Sequence, residues 1–205
     1  MFLVVYFTAP ALAGWPYAGA SPEGLIAYAR AHELLFYAGG WLQATGALLS
    51  VVFFLALLQL AGCWGRLAGS LTLVGGALLL AVVVLEAAFL EAVPAAAAAG
   101  DSATVATTFA LSNGVFARIF PLAPAPLVFM GAAMMLASSH VLPRFFATSA
   151  FALAGLFVLS GIAAIFGSPG LIFAIALSIV EAIWIASAGV ALLVSRPNYT
   201  EGDSG

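Results

Sequence analysis

The stretch SNGVFARIFPLAPAP, residues 112–126, places one charged side chain and three prolines between two apolar segments. An arginine in hydrocarbon is costly, so a chain that keeps Arg118 there is expected to supply an acidic partner. Pro121, Pro124 and Pro126 lack backbone donors, and broken helical backbone at membrane depth is tolerated only where protein or a wet cavity covers the freed groups. We therefore predict that this stretch faces the protein interior.

Composition supports the premise that the stretch lies in a membrane. The chain has 205 residues, of which 65% are hydrophobic and 6% are charged, and its mean hydropathy is +1.21. An average soluble domain is about one quarter charged. We therefore predict an integral membrane protein with a single transmembrane domain over residues 1–205, in which residues 195–205 form a short polar cytoplasmic tail.

Apolar runs and turn residues predict an all-α, polytopic bundle of six transmembrane helices with a proline-broken helix 4. The first helix is short, and the second begins as an amphipathic lead-in over residues 22–31, after a serine cap at Ser21. Helix 3 is expected to end before Pro94, which leaves AAAAAG as a connector, and Asp101 is expected to cap helix 4. The predicted helices lie within residues 1–19, 22–60, 69–93, 102–137, 145–166 and 171–194.

The arginines in the short links predict the orientation of the bundle. Arg66, Arg144 and Arg196 fall on one side, and Arg30 falls on the other. Because basic residues are enriched in cytoplasmic links, we predict a multi-pass protein of the cell membrane with both termini in the cytoplasm.

Two segments carry a likeness to a known family. They are PEGLIAYARAHELLFYAGGWLQATGALLSVVFFLAL, a lead-in that runs into helix 2, and FPLAPAPLVFMGAAMMLASSHVLPRFF, a proline-broken helix 4 followed by a V-L-P-R link. The chain resembles a bacterial family of six-helix integral membrane proteins that is catalogued only as a domain of unknown function. The resemblance implies the helix count and implies nothing about chemistry.

Polar residues on four helices are predicted to lie in one layer. At about 1.5 Å per residue, counting from the outer helix ends places Glu86, Arg118 and Glu181 at similar depths, with Gln43 and Asn113 near them. A charged hydrogen bond between guanidinium and carboxylate is the least costly way to bury such groups. We therefore expect Arg118 within salt-bridge reach of Glu86, Glu181 or both.

Helix 6 adds two polar side chains to this layer, because Ser178, Glu181 and Trp184 are spaced by three residues. The predicted ligand-binding or ion-binding residues are Gln43, Glu86, Asn113, Arg118, Ser178, Glu181 and Trp184, and the predicted helix break is at Pro121, Pro124 and Pro126. Two interpretations stay open: a structural clamp that fixes helix register, and a site for a ligand, proton or ion. A site would show an elongated pocket touching at least two of Glu86, Arg118, Glu181 and Trp184, opening toward the outer leaflet.

Three classes of function follow. The first is a non-enzymatic protein that binds or transports a small amphipathic molecule or protons. The second is a structural or accessory subunit of a larger membrane complex. The third is an intramembrane enzyme, which the motifs support least, since G-x-S-x-G, H-E-x-x-H and a phosphate loop are all missing from the sequence.

The residue inventory limits cofactors and partners. The chain has no lysine to form a Schiff base, one cysteine, and two histidines that we expect at opposite membrane faces. We therefore predict no cofactor, no metal and no catalytic residue. Membrane lipids, a small amphipathic ligand or a larger membrane complex are the expected partners, whereas the net charge of −3 argues against nucleic acid.

Overall fold

The structure, a computed structural model, describes residue 5, residues 14–16 and residues 20–194, without the side chains of residues 168 and 169. These residues form helices joined by short links and contain no strand, which confirms the predicted all-α bundle. Five of its helices are long and apolar enough to cross a membrane and so fit a multi-pass membrane protein. The six helices are α1 (Pro22–Ala31), α2 (Glu33–Leu60), α3 (Leu67–Ala99), α4 (Ser102–Ala137), α5 (Arg144–Phe166) and α6 (Ser168–Val194).

The short first helix predicted within residues 1–19 lies outside the described residues, except for positions 5 and 14–16. The short helix that the structure describes is the lead-in, α1, which is separated from α2 by the non-helical backbone of His32 (φ −129°, ψ 33°). The predicted cap is confirmed, because the backbone N–H of Gly24 donates to the Ser21 hydroxyl oxygen at 3.1 Å.

Helix α3 continues past the position where we predicted its end. Pro94 lies inside α3, and the alanines that follow it are helical as far as Ala99. Alanine has the highest helix propensity, and five in a row outweigh the one donor that Pro94 removes. Gly100 then ends the helix in the left-handed region (φ 74°), and the Asp101 side chain caps α4.

Helix α4 is broken as its prolines predict. It is α-helical over Ser102–Gly114, forms one π-helical segment over Val115–Ile119, and is interrupted at Ala123 (φ −129°, ψ −64°) before resuming at Pro124–Ala137. Missing proline donors explain the interruption. π-Helical turns inside α-helices are frequent at functional sites.

The centre of the bundle is the packing of α3 against the second half of α4. A Cβ atom placed on Gly131 would lie 2.7 Å from the backbone nitrogen of Thr72 and 2.9 Å from the carbonyl oxygen of Ala68. Such small residues let two membrane helices approach closely, so that van der Waals contact and not hydrophobicity holds them together.

The helix ends lie at one level at one end of the bundle and at different levels at the other. We call the end with the links 61–66 and 138–143 the lower end. Helices α3 and α4 have 33 and 36 residues and α5 has 23, so the α3–α4 hairpin extends about 15–20 Å beyond the upper end of α5. Helix α1 packs on this extension, where Leu25 and Ala29 contact the apolar cluster of Val93, Val105 and Phe109.

Candidate functional site

Polar side chains of three helices line one small cavity in the bundle, which we call the central cavity. Its volume is about 30 Å³, and its remaining lining consists of apolar side chains from α2, α3 and α4. Four of the seven sequence-predicted binding residues meet here. The polar residues of the central cavity are Gln43, Ser50, Glu86, Ser178 and Glu181.

The two carboxyl groups of the central cavity have different surroundings. Glu86 on α3 is buried, and its Oε1 accepts a hydrogen bond of 2.7 Å from the Ser112 hydroxyl group on α4. Glu181 on α6 is equally buried, yet its carboxyl group makes no hydrogen bond to any residue that the structure describes. The carboxyl group of Glu86 is therefore held by a hydrogen bond to Ser112, whereas that of Glu181 depends on the contents of the cavity for its solvation.

Two further polar atoms in the cavity lining lack hydrogen-bond partners. Oε1 of Gln43 and Oγ of Ser178 are buried and bond to nothing in the described part of the chain. Leaving such a group unsatisfied costs roughly 1–3 kcal/mol. A cavity of roughly 10–15 Å³ holds a water molecule, so the 30 Å³ available here admits water or a small ion among five oxygen-bearing side chains.

The central cavity is elongated along the bundle. Glu181 is the middle residue of α6, about 20 Å from its lower end, whereas Glu86 lies about 28 Å above the lower end of α3. The single polar layer predicted from the sequence is therefore a column. The prediction was wrong because it measured the depth of Glu86 from Pro94, and α3 does not end there.

Aromatic side chains close the bundle below the central cavity. Phe54, Phe129 and Trp184 are buried together, with ring centroids 5.7 Å apart for Phe54 and Phe129 and 5.4 Å apart for Phe129 and Trp184. Phe146 and Phe157 extend this aromatic layer. Among the described residues, these packed rings lie between the lining of the central cavity and the lower end.

Trp184 does not share the central cavity with Glu181. Its indole N–H donates to the Ser149 hydroxyl oxygen on α5 at 2.9 Å, and its ring borders a separate cavity of about 340 Å³ between α5 and α6. A spacing of three residues falls short of a full helical turn by about 60°. The second step from Ser178 therefore carries Trp184 off the face that Ser178 and Glu181 share.

Arg118 and Asn113 lie in a different cavity from the two glutamates. This cavity, which we call the upper groove, has a volume of about 420 Å³ and is bounded by α4, α1 and the α5–α6 link. Arg118 is exposed and Asn113 is half-buried. Within residues 20–194 no ion pair joins Arg118 to Glu86 or Glu181, so the structure does not bring the expected cluster together.

The π-helical segment forms the wall between the two cavities. Val115 and Phe116 line the central cavity, and Ala117 and Arg118 line the upper groove. Residues two positions apart on a helix face different directions, so Arg118 points away from Glu86 although the two lie at similar heights. Pro121 and Pro124 are buried below this segment, and Pro126 is half-buried.

Sequence reasoning missed Ser50, which lines the central cavity, and Ser112, which bonds to a residue of its lining. Ser112 holds Glu86, and its signal was a hydroxyl group at the start of the proline-rich stretch. Ser50 lies on the same face of α2 as Gln43, and its hydroxyl group donates to the carbonyl oxygen of Gly46 at 2.8 Å.

The described residues contain no group of three histidine, cysteine, aspartate or glutamate side chains arranged to hold a metal ion. Comparison of the chain with protein-family models, curated proteins and solved structures finds no match. The fold and site together define its class: a multi-pass helical protein with two carboxyl groups in one buried cavity.

Proposed function

We propose that this protein binds and exchanges protons at Glu86 and Glu181 in the cell membrane. The observation that carries the proposal is the central cavity itself, in which two buried carboxyl groups meet the unsatisfied oxygens of Gln43 and Ser178. Ionisable residues inside a membrane are rare and usually functional. A carboxyl group can accept and release a proton without any other change in the site.

The size of the central cavity favours protons over a larger substrate. Sites for drug-sized molecules have volumes of roughly 300–1,000 Å³, and 30 Å³ is enough only for water or a bare ion. Water between the carboxyl groups would connect Glu181, at mid-height, with Glu86 nearer the upper end. The amphipathic molecule considered from the sequence does not fit this cavity.

The proposed site exchanges protons with the upper side of the membrane. The aromatic layer of Phe54, Phe129 and Trp184 closes the lower side, so transfer across the membrane would require this layer to open. Arg66 and Arg144 lie at the lower end and Arg30 at the upper end. The distribution of arginines supports a cytoplasmic lower end, and protons would then enter from outside.

The unsatisfied oxygens also distinguish this proposal from a structural clamp. Buried polar groups that only hold helices together, in this protein or in a larger complex, stabilise the fold most when every donor and acceptor has a protein partner. Gln43 and Ser178 lack such partners in the described residues. Their position beside Glu181 is the arrangement that a site for water and protons requires.

Infrared spectroscopy of the protein in lipid nanodiscs tests the proposal. Raising the pH should remove the absorption of protonated carboxyl groups, and Glu86→Gln and Glu181→Gln should each delete part of that change. Glu91→Gln is the matched control, because Glu91 lies on α3 outside the central cavity. An identical pH-dependent signal in all variants would refute proton binding, and a signal displaced by sodium would indicate a cation site instead.

Proton transport needs a separate measurement. Liposomes that contain the protein and an internal pH dye should acidify under an imposed potential, and Glu181→Gln should abolish the flux. If the infrared signal is present without flux, the protein binds protons but does not carry them across the membrane.

A further inference from the structure

We propose that the upper groove binds an anionic amphipathic molecule, with a carboxylate or phosphate head group at Arg118 and a single apolar chain along α4. This site is distinct from the central cavity and does not depend on the proton proposal. The inference rests on three observations: the charge of Arg118, the lining of the groove, and its size.

Arg118 supplies a cation that the described residues do not neutralise. Its guanidinium group makes no hydrogen bond or ion pair within residues 20–194, and its side chain is exposed in the groove. Helix α4 places Arg118 about 28 Å above the lower end, close to the level where α5 ends. A hydrocarbon core of about 30 Å that begins at the lower end would also end near this level. A planar guanidinium group binds carboxylate and phosphate through paired hydrogen bonds.

The two glutamates cannot serve as its partners in this structure. Glu86 and Glu181 line the central cavity on the other side of the π-helical segment. Asn113 lines the same groove as Arg118 and can donate from its amide group. The charged end of the groove is therefore suited to an oxyanion supplied from outside the described chain.

The rest of the groove is suited to an apolar chain. Ala106, Ala110, Gly114 and Ala117 recur at intervals of three or four residues and form a floor of small side chains on one face of α4. This floor and Arg118 extend over about 18 Å, and Leu25 of α1 borders it.

The size of the upper groove agrees with this occupant. Its volume of about 420 Å³ falls within the range of about 300–1,000 Å³ typical of sites for small organic molecules. A bare inorganic anion would leave the apolar floor empty, and a neutral alkyl chain would leave the guanidinium group unpaired. Only a molecule with both parts uses the whole groove.

Binding to the purified protein in phosphatidylcholine nanodiscs tests the inference with four probes. Dodecanoate and dodecyl phosphate carry the two head groups on the same chain, dodecanol carries the chain alone, and inorganic phosphate carries the anion alone. We expect at least one of the two anionic amphiphiles to bind at least about tenfold more tightly than dodecanol or inorganic phosphate. Whichever of the two binds more tightly identifies the head group.

Variants locate the binding. Arg118→Gln should weaken it at least about tenfold, and Arg118→Lys should weaken it less, because lysine keeps the charge but loses the paired hydrogen bonds. Arg66→Gln is the matched control, since Arg66 is exposed in the lower link far from the groove. Equal binding by Arg118→Gln and wild type would overturn the proposal, and so would equal binding of dodecanol.

A second variant leaves the charge in place in case Arg118→Gln does not fold. Ala110→Phe should fill the floor of the groove and weaken binding of the anionic amphiphile, whereas Ala77→Phe should not, because Ala77 is exposed on α3 and borders none of the three described cavities. Unchanged binding by Ala110→Phe would contradict the proposed position of the chain. Binding should persist in Glu181→Gln, which separates this test from that of the central cavity.

Discussion

The hydroxyl group of Ser112 on α4 donates a hydrogen bond of 2.7 Å to Oε1 of Glu86 on α3. Both side chains are buried, and the bond joins the upper half of α4 to the helix that carries one carboxyl group of the central cavity. It fixes the direction of that carboxyl group immediately before α4 changes from α-helical to π-helical geometry. One serine therefore connects the bend in α4 to the site.

Replacing Ser112 by alanine should destabilise the protein. A hydrogen bond to a charged group contributes roughly 1.5–3 kcal/mol, and its loss leaves a buried carboxyl oxygen with one donor fewer. The free energy of unfolding, measured by denaturation in mixed micelles, should fall by about that amount.

Ser50→Ala is the control for this loss. The Ser50 hydroxyl group is also buried at the central cavity, but it donates only to the carbonyl oxygen of Gly46 within its own helix. Such local bonds add little to stability, so the change should stay below about 1 kcal/mol. Equal decreases in the free energy of unfolding for Ser112→Ala and Ser50→Ala would show that the bond to Glu86 contributes no more than a local bond.

Gly131→Ala should destabilise the contact between α3 and α4. The added methyl group would overlap the Thr72 side chain and lie 2.7 Å from the Thr72 backbone nitrogen, and helical backbone cannot move aside easily. Overpacking of this kind costs about 1–3 kcal/mol. Thermal unfolding of the purified variant measures the effect.

Gly155→Ala is the matched control on α5. A Cβ atom at Gly155 meets no other atom within 4 Å, and alanine is favoured over glycine inside a helix by about 0.5–1 kcal/mol. Gly155→Ala should therefore leave the melting temperature unchanged or raise it. A loss equal to that of Gly131→Ala would contradict the close approach of α3 and α4.

The parts of the fold that obey local rules could be predicted from the sequence. Ser21 and Asp101 cap their helices through their own side chains, and the prolines of α4 break it, because each effect depends on a few neighbouring residues. The end of α3 could not be predicted in the same way. There one proline competed with five alanines, and the rule for proline alone gave the wrong boundary.

Membership of the central cavity could be predicted in part, whereas the direction of Arg118 could not. Gln43, Glu86, Ser178 and Glu181 do line one cavity, because each is a buried polar residue within a long apolar helix, although counting from Pro94 gave the wrong height for Glu86. Arg118 has a similar height to Glu86 but faces the other way. A π-helical segment adds a residue to the turn and rotates everything after it, and no local pattern in the sequence announces it.

The cap of α4 should make stability depend on pH. The Thr104 hydroxyl group and backbone N–H both donate to Asp101, and these bonds lower the pKa of its carboxyl group from the ordinary value of 3.8. A group with a lowered pKa in the folded state stabilises the fold above its unfolded pKa and loses this effect as the pH falls through the folded value. Asp101→Ala should therefore lower the melting temperature at neutral pH, and this difference should shrink below about pH 4.

Ser21 caps α1 with a hydroxyl group that does not titrate, so Ser21→Ala is the control for Asp101→Ala. The Ser21 oxygen accepts from the Gly24 N–H, so removing it should lower stability by a similar amount at neutral and acidic pH. Parallel pH dependence for Asp101→Ala and Ser21→Ala would show that the carboxylate of Asp101 is not the source of the effect.

The orientation of the bundle can be tested at the tip of the α3–α4 hairpin. A reporter inserted between Gly100 and Asp101 should respond as extracellular, and one after residue 205 should respond as cytoplasmic, because Arg66 and Arg144 favour a cytoplasmic lower end under the positive-inside rule. A reporter at the N-terminus should also be cytoplasmic if residues 1–19 cross the membrane, since α2 begins at the upper end. Replacing both lower arginines by glutamine should produce mixed orientations. A cytoplasmic signal at Gly100 in the unmodified chain would reverse the orientation and place the proposed proton entry on the inner side.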